Sequence, residues 1–188
     1  MKRLWSALMI VLGTVSTQLA PADDAVRAAW TAKELRFTYQ GFTARYSCDG
    51  LRDRMRQALL TLGARKDLTV TSTGCVGGFG SATPFPGVAA KFSVLEPVKD
   101  ATAPADAQTV TAHWQRVDLT DRNRRDPVEA AGDCELIEQI KTRVLPLFST
   151  RNVEYSSTCI PHQLQVGGTT LKADVLVAEP AAAAKPQS

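Results

Sequence analysis

Four cysteines are the residues whose type and spacing most closely limit the chemistry of this chain. Cys48, Cys75, Cys134 and Cys159 include no Cys-x-x-Cys pair, the spacing that brings two sulfurs together for disulfide exchange or zinc binding. Their even number is typical of structural disulfides in an oxidising compartment. Four cysteines permit three connectivities, and the count alone does not choose among them.

Two histidines, His113 and His162, are the remaining candidates for a catalytic base or a metal ligand. A metal site would have to recruit carboxylates such as Asp118 or Glu154, and no clustered spacing brings these together. The chain also lacks the Gly-x-Ser-x-Gly sequence of a nucleophile elbow. We therefore predict no catalytic residue, no metal site and no cofactor. The alternative is an enzyme, or a metal- or small-ligand-binding protein, that uses His113 and His162.

A glycine- and proline-rich loop follows Cys75. Phosphate-binding loops open directly into a helix, whereas prolines follow the glycines here, so we interpret the stretch as a connector. Its two phenylalanines would offer an apolar contact surface on an exposed loop. The candidate partner-binding residues are Gly77, Gly78, Phe79 and Phe85.

Two amphipathic helices are predicted from apolar stripes of 3.6-residue period. The stripe of the first helix consists of Leu51, Met55, Ala58, Leu59 and Leu62. Ser47 or Asp49 can cap the start of this helix, and Gly63 suits its C-terminal left-handed position. The stripe of the second helix consists of Ile137, Ile140, Val144 and Leu145. Asp133 is its predicted N-cap, and Pro146 should end or kink it.

Each helix is followed by a similar predicted strand. Leu68–Cys75 aligns with Val153–Cys159 if Gly74 is one inserted residue, which predicts a bulge at that glycine. A second resemblance joins Lys91–Leu95 to Lys172–Leu176. These parallels predict an internal duplication, with two βαββ-like repeats at about 35–97 and 108–178. The alternative is that two small α/β pieces merely share an outline.

The lengths of these elements favour one disulfide pairing. A helix of about 15 residues travels ~22 Å, and a strand of about 7 residues returns ~23 Å. Each excursion therefore brings its second cysteine back to its first, which predicts the pairs Cys48–Cys75 and Cys134–Cys159. The other two connectivities stay open.

The predicted fold class is α+β. Because a helical crossover makes its flanking strands parallel, we expect a mixed sheet of about six strands with two helices on one face, held by two disulfides. Residues 23–30 are predicted as a short helix or lead-in, and 121–132 as a polar loop. Two separate lobes are the alternative arrangement.

The first 22 residues are predicted to be a signal peptide. Lys2 and Arg3 precede an apolar run that is too short to span a bilayer, and Ala20 and Ala22 suit a signal peptidase. Cleavage would leave no transmembrane segment, a single domain at 23–178 and a disordered alanine- and proline-rich tail at 179–188.

Loss of Lys2 and Arg3 would lower the net charge from +3 to +1, which argues against nucleic acid or anionic lipid as the main partner. The predicted function is that of an exported, periplasmic or secreted, non-enzymatic module. Its predicted partner is another envelope protein or an envelope component. The sequence gives no prediction of the oligomeric state.

Overall fold

A computed structural model describes six parts of the chain, together with the backbone but not the side chains of 127–133. The described residues are 25–42, 46–75, 85–98, 108–120, 127–160 and 168–179. The predicted signal peptide lies outside them, and so does the predicted tail apart from Glu179.

The described part of the chain contains six strands, two α-helices and one short 3-10 turn. In chain order they are β1 (Val26–Thr38), α1 (Cys48–Thr61), β2 (Thr69–Thr73), β3 (Gly87–Pro97), β4 (Thr109–Asp118), α2 (Pro127–Arg143), the 3-10 turn (Leu145–Leu147), β5 (Thr150–Ser157) and β6 (Thr169–Ala178). Each half of the chain thus has the order strand, helix, strand, strand.

The strands form one sheet in the order β2-β3-β1-β4-β6-β5. Every neighbouring pair is antiparallel, so the prediction of a mixed sheet was wrong. The strands on either side of each helix do run parallel to each other, as a helical crossover requires. They are not neighbours, however, because the third strand of each half inserts between them: β3 separates β1 from β2, and β6 separates β4 from β5.

Strand β1 borders the second half, because it lies between β3 and β4 in the middle of the sheet. It begins at Val26, so the prediction of a helix or lead-in over 23–30 was wrong from that residue onward. It pairs with β3 along Ala28–Thr38, but with β4 only through the four residues from Val26 to Ala29. The two halves therefore share a short seam of backbone hydrogen bonds.

Helix α1 forms as predicted. Leu51, Met55 and Leu59 are fully buried. Ser47 is the N-cap, and its Oγ accepts a hydrogen bond from the backbone N–H of Gly50 at 3.0 Å. After the helix, Gly63 has a φ of +91°, the left-handed conformation that favours glycine.

Helix α2 starts earlier than predicted. Its first residue is Pro127, so Asp133 is not the N-cap and the predicted polar loop over 121–132 is wrong from that proline onward. Proline is favoured at the first helical position because its missing N–H would have no partner there. The predicted stripe of the second helix is buried, and the helix ends before Pro146 as expected.

One hydrophobic core lies between the sheet and both helices. It includes Leu35, Phe37 and Phe92 from the first half and Leu171 and Val175 from the second, together with the buried stripes of α1 and α2. Both helices therefore cover the same face of the sheet. A smaller cluster occupies the opposite face, where β1 meets β4.

The predicted bulge at Gly74 is not present, because β2 ends at Thr73 and Gly74 turns the chain with a φ of +68°. The irregularity lies in the other half instead. The register of β5 against β6 shifts between Arg151 and Glu154, where Asn152 has a φ of 51°.

Candidate functional site

Both predicted disulfides are present. Cys48 is bonded to Cys75, and Cys134 is bonded to Cys159, with a Cα–Cα distance of 6.1 Å in each pair. Each bridge joins a helix to the strand that follows it, and those strands, β2 and β5, are the two edges of the sheet. The disulfides therefore fasten both edge strands of the sheet to the helical layer.

The two bridges differ in their surroundings. Cys48 is the first residue of α1, whereas Cys134 lies inside α2, so only the first of these cysteines is at the start of a helix. Cys134 is buried with 5% exposure, while Cys75 is exposed. Burial in an apolar core is typical of a structural cysteine, whereas reactive thiols lie in accessible, electropositive surroundings.

The predicted partner site is described only at Phe85. Gly77, Gly78 and Phe79 lie outside the described residues. Phe85 is 63% exposed, and Phe42, which sequence reasoning did not select, is 76% exposed. Both lie at the same end of the sheet, beyond the point where Thr38 of β1 pairs with Gly87 of β3.

This end of the sheet is held by side chains of α2. The hydroxyl of Tyr39 donates to Glu135 at 3.1 Å, and the backbone N–H of Phe42 donates to the same carboxylate oxygen at 2.8 Å. Just beyond the last pair of β1 and β3, the backbone N–H of Tyr39 donates to the carbonyl of Pro86 at 2.9 Å. The backbone N–H of Phe42 and the carbonyl of Pro86, which follows Phe85, are therefore anchored.

The two histidines are not shown together. His113 is a half-buried residue of β4 that pairs with Val177 of β6, and His162 lies outside the described residues. Within the described ranges, no group of three or more His, Cys, Asp or Glu side chains is arranged to hold a metal ion.

A feature that sequence reasoning missed lies on the sheet face opposite the helices. The segments Val26–Trp30 of β1 and Val110–Trp114 of β4 both read Val-x-Ala-x-Trp. They run antiparallel, and Val26 pairs with Ala112 while Ala28 pairs with Val110. The two alanines are fully buried, and both tryptophans pack over this smaller cluster.

Each tryptophan has the same kind of surroundings. Trp30 pairs across the sheet with Leu95, and Trp114 pairs with Leu176. The guanidinium of Arg65 lies 5.6 Å from the centre of the Trp30 ring, and that of Arg151 lies 4.6 Å from the Trp114 ring. These distances are those of cation–π contacts.

The two halves also carry matching ion pairs farther from the seam. Lys91 lies 3.4 Å from Glu34 across β3 and β1, and Lys172 lies 3.6 Å from Asp118 across β6 and β4. A repeated Val-x-Ala-x-Trp followed four residues later by an acid is visible in the printed sequence, and it was the signal that could have located this face.

Asp174 is the centre of a polar network on the β4-β6-β5 part of that face. It accepts hydrogen bonds from Asn152 at 2.7 Å and from Arg116 at 3.2 Å, and Arg151 lies 3.4 Å away. The hydrogen bond from Asn152 and those from the two arginines hold the pKa of Asp174 below its ordinary value. Arg116 also lies 2.7 Å from Glu154, so two arginines are matched by two carboxylates and the network creates no single-sign field.

Neither of the helices in the described ranges combines the length and apolar character needed to cross a lipid bilayer. Comparison with models of protein families finds no match, and comparisons with curated proteins and with solved structures find none either.

Proposed function

We propose that this chain is an exported, non-enzymatic protein of the bacterial periplasm or the extracellular space. In this proposal it acts as a disulfide-stabilised module that binds another protein or a component of the cell envelope. Two bridges that fasten the sheet edges to the helices suit an oxidising compartment, where disulfides persist.

The observation that carries the proposal is the exposure of Phe42 and Phe85, at 76% and 63%, on anchored backbone at one end of the sheet. Aromatic rings bury a large area at little conformational cost when a partner covers them. The predicted residues Gly77, Gly78 and Phe79 belong to the loop that leads into Phe85, and they remain part of the proposed site.

Site-specific photo-crosslinking tests this site in living cells. A photoreactive amino acid at position 85 is expected to give a discrete adduct, and the same probe at Val153, which is 45% exposed on β5, serves as the control. Phe42→Ser should diminish the adduct at position 85. Identical adducts from positions 85 and 153, or none from position 85, would reject the site.

Export is tested by the mass of the mature protein. Cleavage after Ala22 is expected to yield a chain that starts at Asp23, recovered from the periplasm or the medium with no free thiol. A chain that keeps residues 1–22 and stays in the cytosol would contradict the proposal.

We also infer that the two halves descend from one βαββ unit. The matching Val-x-Ala-x-Trp segments and the matching lysine–acid pairs support this inference. So do the hydrogen bonds at the ends of the halves: Val98 donates to the carbonyl of Arg27, and Glu179 donates to that of Thr111, at 2.9 Å and 3.0 Å. The register at the seam, where Val26 pairs with Ala112 and Ala28 pairs with Val110, is the one that a two-fold exchange of the halves would produce.

A circular permutant tests the duplication. A chain that begins at Gln108, runs to Glu179 and continues through a copy of residues 99–107 into residues 25–98 exchanges the order of the halves. If the halves are equivalent, this permutant should fold with both native disulfides and a similar urea midpoint. A permutant that stays unfolded while the wild-type order folds would contradict the inference.

A further inference from the structure

The two edges of the sheet are protected to different degrees. Edge strands expose unpaired backbone groups, which natural proteins usually shield with charges or bulges. At one edge, β5 carries the left-handed Asn152 and a register shift between its two charged residues, Arg151 and Glu154. At the other edge, β2 is regular, uncharged and rich in threonine.

Strand β2 is compatible with pairing to a second copy of itself. In an antiparallel pair centred on Thr71, Thr69 faces the partner's Thr73, and Val70 faces the partner's Ser72. Threonine pairs are favourable across strands, and no like charges would oppose each other within this strand.

Helix α1 presents charges beside the same edge. Cys48, Arg52 and Arg56 follow one another at intervals of four residues, so they share one flank of the helix. The bond from Cys48 to Cys75 places this flank next to the end of β2. Asp49 and Asp53 adjoin it, and Arg52 lies 2.7 Å from Asp49 and 2.9 Å from Asp53.

The charges on this flank are complementary to those of a second copy that runs in the opposite direction. When two copies of the flank run antiparallel about the midpoint of Arg52 and Asp53, Asp49 faces the partner's Arg56 and Arg52 faces the partner's Asp53. The two-fold axis repeats both contacts, so each of the four contacts joins an arginine to an aspartate. A charge pattern of this kind selects a second copy as the partner.

The two-fold axis required by the strand pair and the one required by the helix pair lie at similar distances from the Cys48–Cys75 bridge. Cys48 lies beside the stretch from Ser72 to Cys75, because it is bonded to Cys75 and its carbonyl accepts from the Ser72 hydroxyl at 3.2 Å. The midpoint of the helix pattern is ~7 Å along the axis from Cys48. Thr71 is ~8 Å along the strand from the middle of that stretch. The disulfide therefore holds α1 and β2 in a register in which one two-fold axis serves both the strand pairing and the helix contacts.

We propose that this protein forms a symmetric dimer in which the β2 edges of two copies pair about Thr71, giving a continuous sheet across the dimer with the α1 flanks in ionic contact. The interface is small, so self-association is expected at concentrations on the order of micromolar or higher. This inference does not depend on the proposed partner site at Phe42 and Phe85.

Sedimentation velocity of the mature, oxidised chain tests the proposal. Arg56→Asp places like charges at two symmetric contacts and should weaken dimerisation about tenfold or more. Adding Asp49→Arg restores opposite charges at those contacts and should recover the dimer. Arg36→Asp makes the same change of charge on the exposed face of β1, away from both edges, and should leave dimerisation unchanged.

Four further variants keep the test independent of effects at the start of the helix. Arg52→Asp should weaken the dimer, and Arg52→Asp combined with Asp53→Arg should restore it. Thr71→Cys should give a disulfide-linked dimer on oxidation, because Thr71 faces itself across the axis, whereas Val153→Cys should not. Circular dichroism confirms that each variant is folded.

The proposal is overturned if the wild-type chain stays monomeric up to about 1 mM. It is also overturned if a dimer forms but the charge reversals leave it unchanged, if neither charge swap restores it, or if Thr71→Cys does not cross-link. Any of these outcomes would exclude β2 as the surface that binds a second copy.

Discussion

We expect the two disulfides to stabilise the fold by nearly equal amounts through their effect on the entropy of the unfolded chain. Removing one disulfide at a time tests this. The bridged cysteines are separated by 27 residues in the first half and by 25 in the second. A crosslink that closes a loop of this size lowers the entropy of the unfolded chain by about 12 cal/mol/K, which is about 3.5 kcal/mol at room temperature. The difference in loop length changes this value by less than about 0.1 kcal/mol.

The folded state adds the only sizeable difference between the bridges. Cys134 is buried at 5% exposure, whereas Cys75 is exposed. Removing a buried sulfur, which leaves only the methyl group of alanine, loses about 1 kcal/mol of packing and burial. We therefore expect the double substitution of Cys48 and Cys75 by alanine to lower the free energy of unfolding by about 3.5 kcal/mol, and that of Cys134 and Cys159 to lower it by about 4.5 kcal/mol.

Urea unfolding followed by far-ultraviolet circular dichroism measures both values under non-reducing conditions. Reduction of the wild-type chain is the control, because it should lower the stability by the sum of the two entropic contributions without any substitution. If the two variants differ by more than about 2 kcal/mol, or if either loses less than about 1 kcal/mol, loop closure is not the main source of the stabilisation.

Two further changes test the close approach of Gly63 to β6 and the ion pair of Glu96. A Cβ on Gly63 would lie 2.7 Å from the carbonyl oxygen of Leu176 at a φ of +91°. Gly63→Ala should therefore lower the free energy of unfolding by about 2–4 kcal/mol. Gly168→Ala, where no atom lies within 4 Å of the added Cβ, should change it by less than about 0.5 kcal/mol, and equal losses would contradict the close approach.

Hydrogen bonds from the Lys33 ammonium and the Thr31 hydroxyl lower the pKa of Glu96, so its contribution is present above the ordinary glutamate pKa of about 4.3 and is lost as the pH falls through the lowered value. Glu96→Gln should cost about 0.5 kcal/mol at neutral pH and nothing in strong acid, and a loss that does not depend on pH would refute this.

Local features of the fold could be predicted because each is encoded in adjacent residues. The stripe that begins at Leu51 and the cap at Ser47 depend on helical period and on one side-chain hydrogen bond. The pairing of the cysteines followed from the matched lengths of a helix and a strand. None of these depends on where the next strand along the chain inserts.

Non-local features could not be predicted in the same way. The sheet is antiparallel because β3 and β6 each insert between two parallel strands, and nothing within β1 or α1 encodes that insertion. The segment Val26–Trp30 contains two alanines and was therefore consistent with a helix, yet pairing on both sides makes it a strand. Asp133 precedes an apolar stripe, but the helix extends back to Pro127.

The candidate site likewise contains one residue that local sequence predicted and one that depends on non-local contacts. The exposure of Phe85 agrees with its place in a glycine- and proline-rich loop, whereas that of Phe42 depends on how Glu135 of α2 holds the end of β1. The tryptophan face was missed because its segments are far apart in sequence and meet only across the seam.

Contacts outside the short seam join the two halves into one unit. The rings of Phe92 and Phe148 stack with their centres 5.6 Å apart, although they belong to different halves. Arg143 of α2 donates to the carbonyl of Thr38 at 2.9 Å, and its guanidinium lies 4.8 Å from the Phe37 ring. Because the end of α2 thus contacts the first half, and both halves contribute to one core, neither half can open without exposing the core of the other. The loss of either disulfide should therefore be observed in a single unfolding transition, and the two free energies can be compared directly.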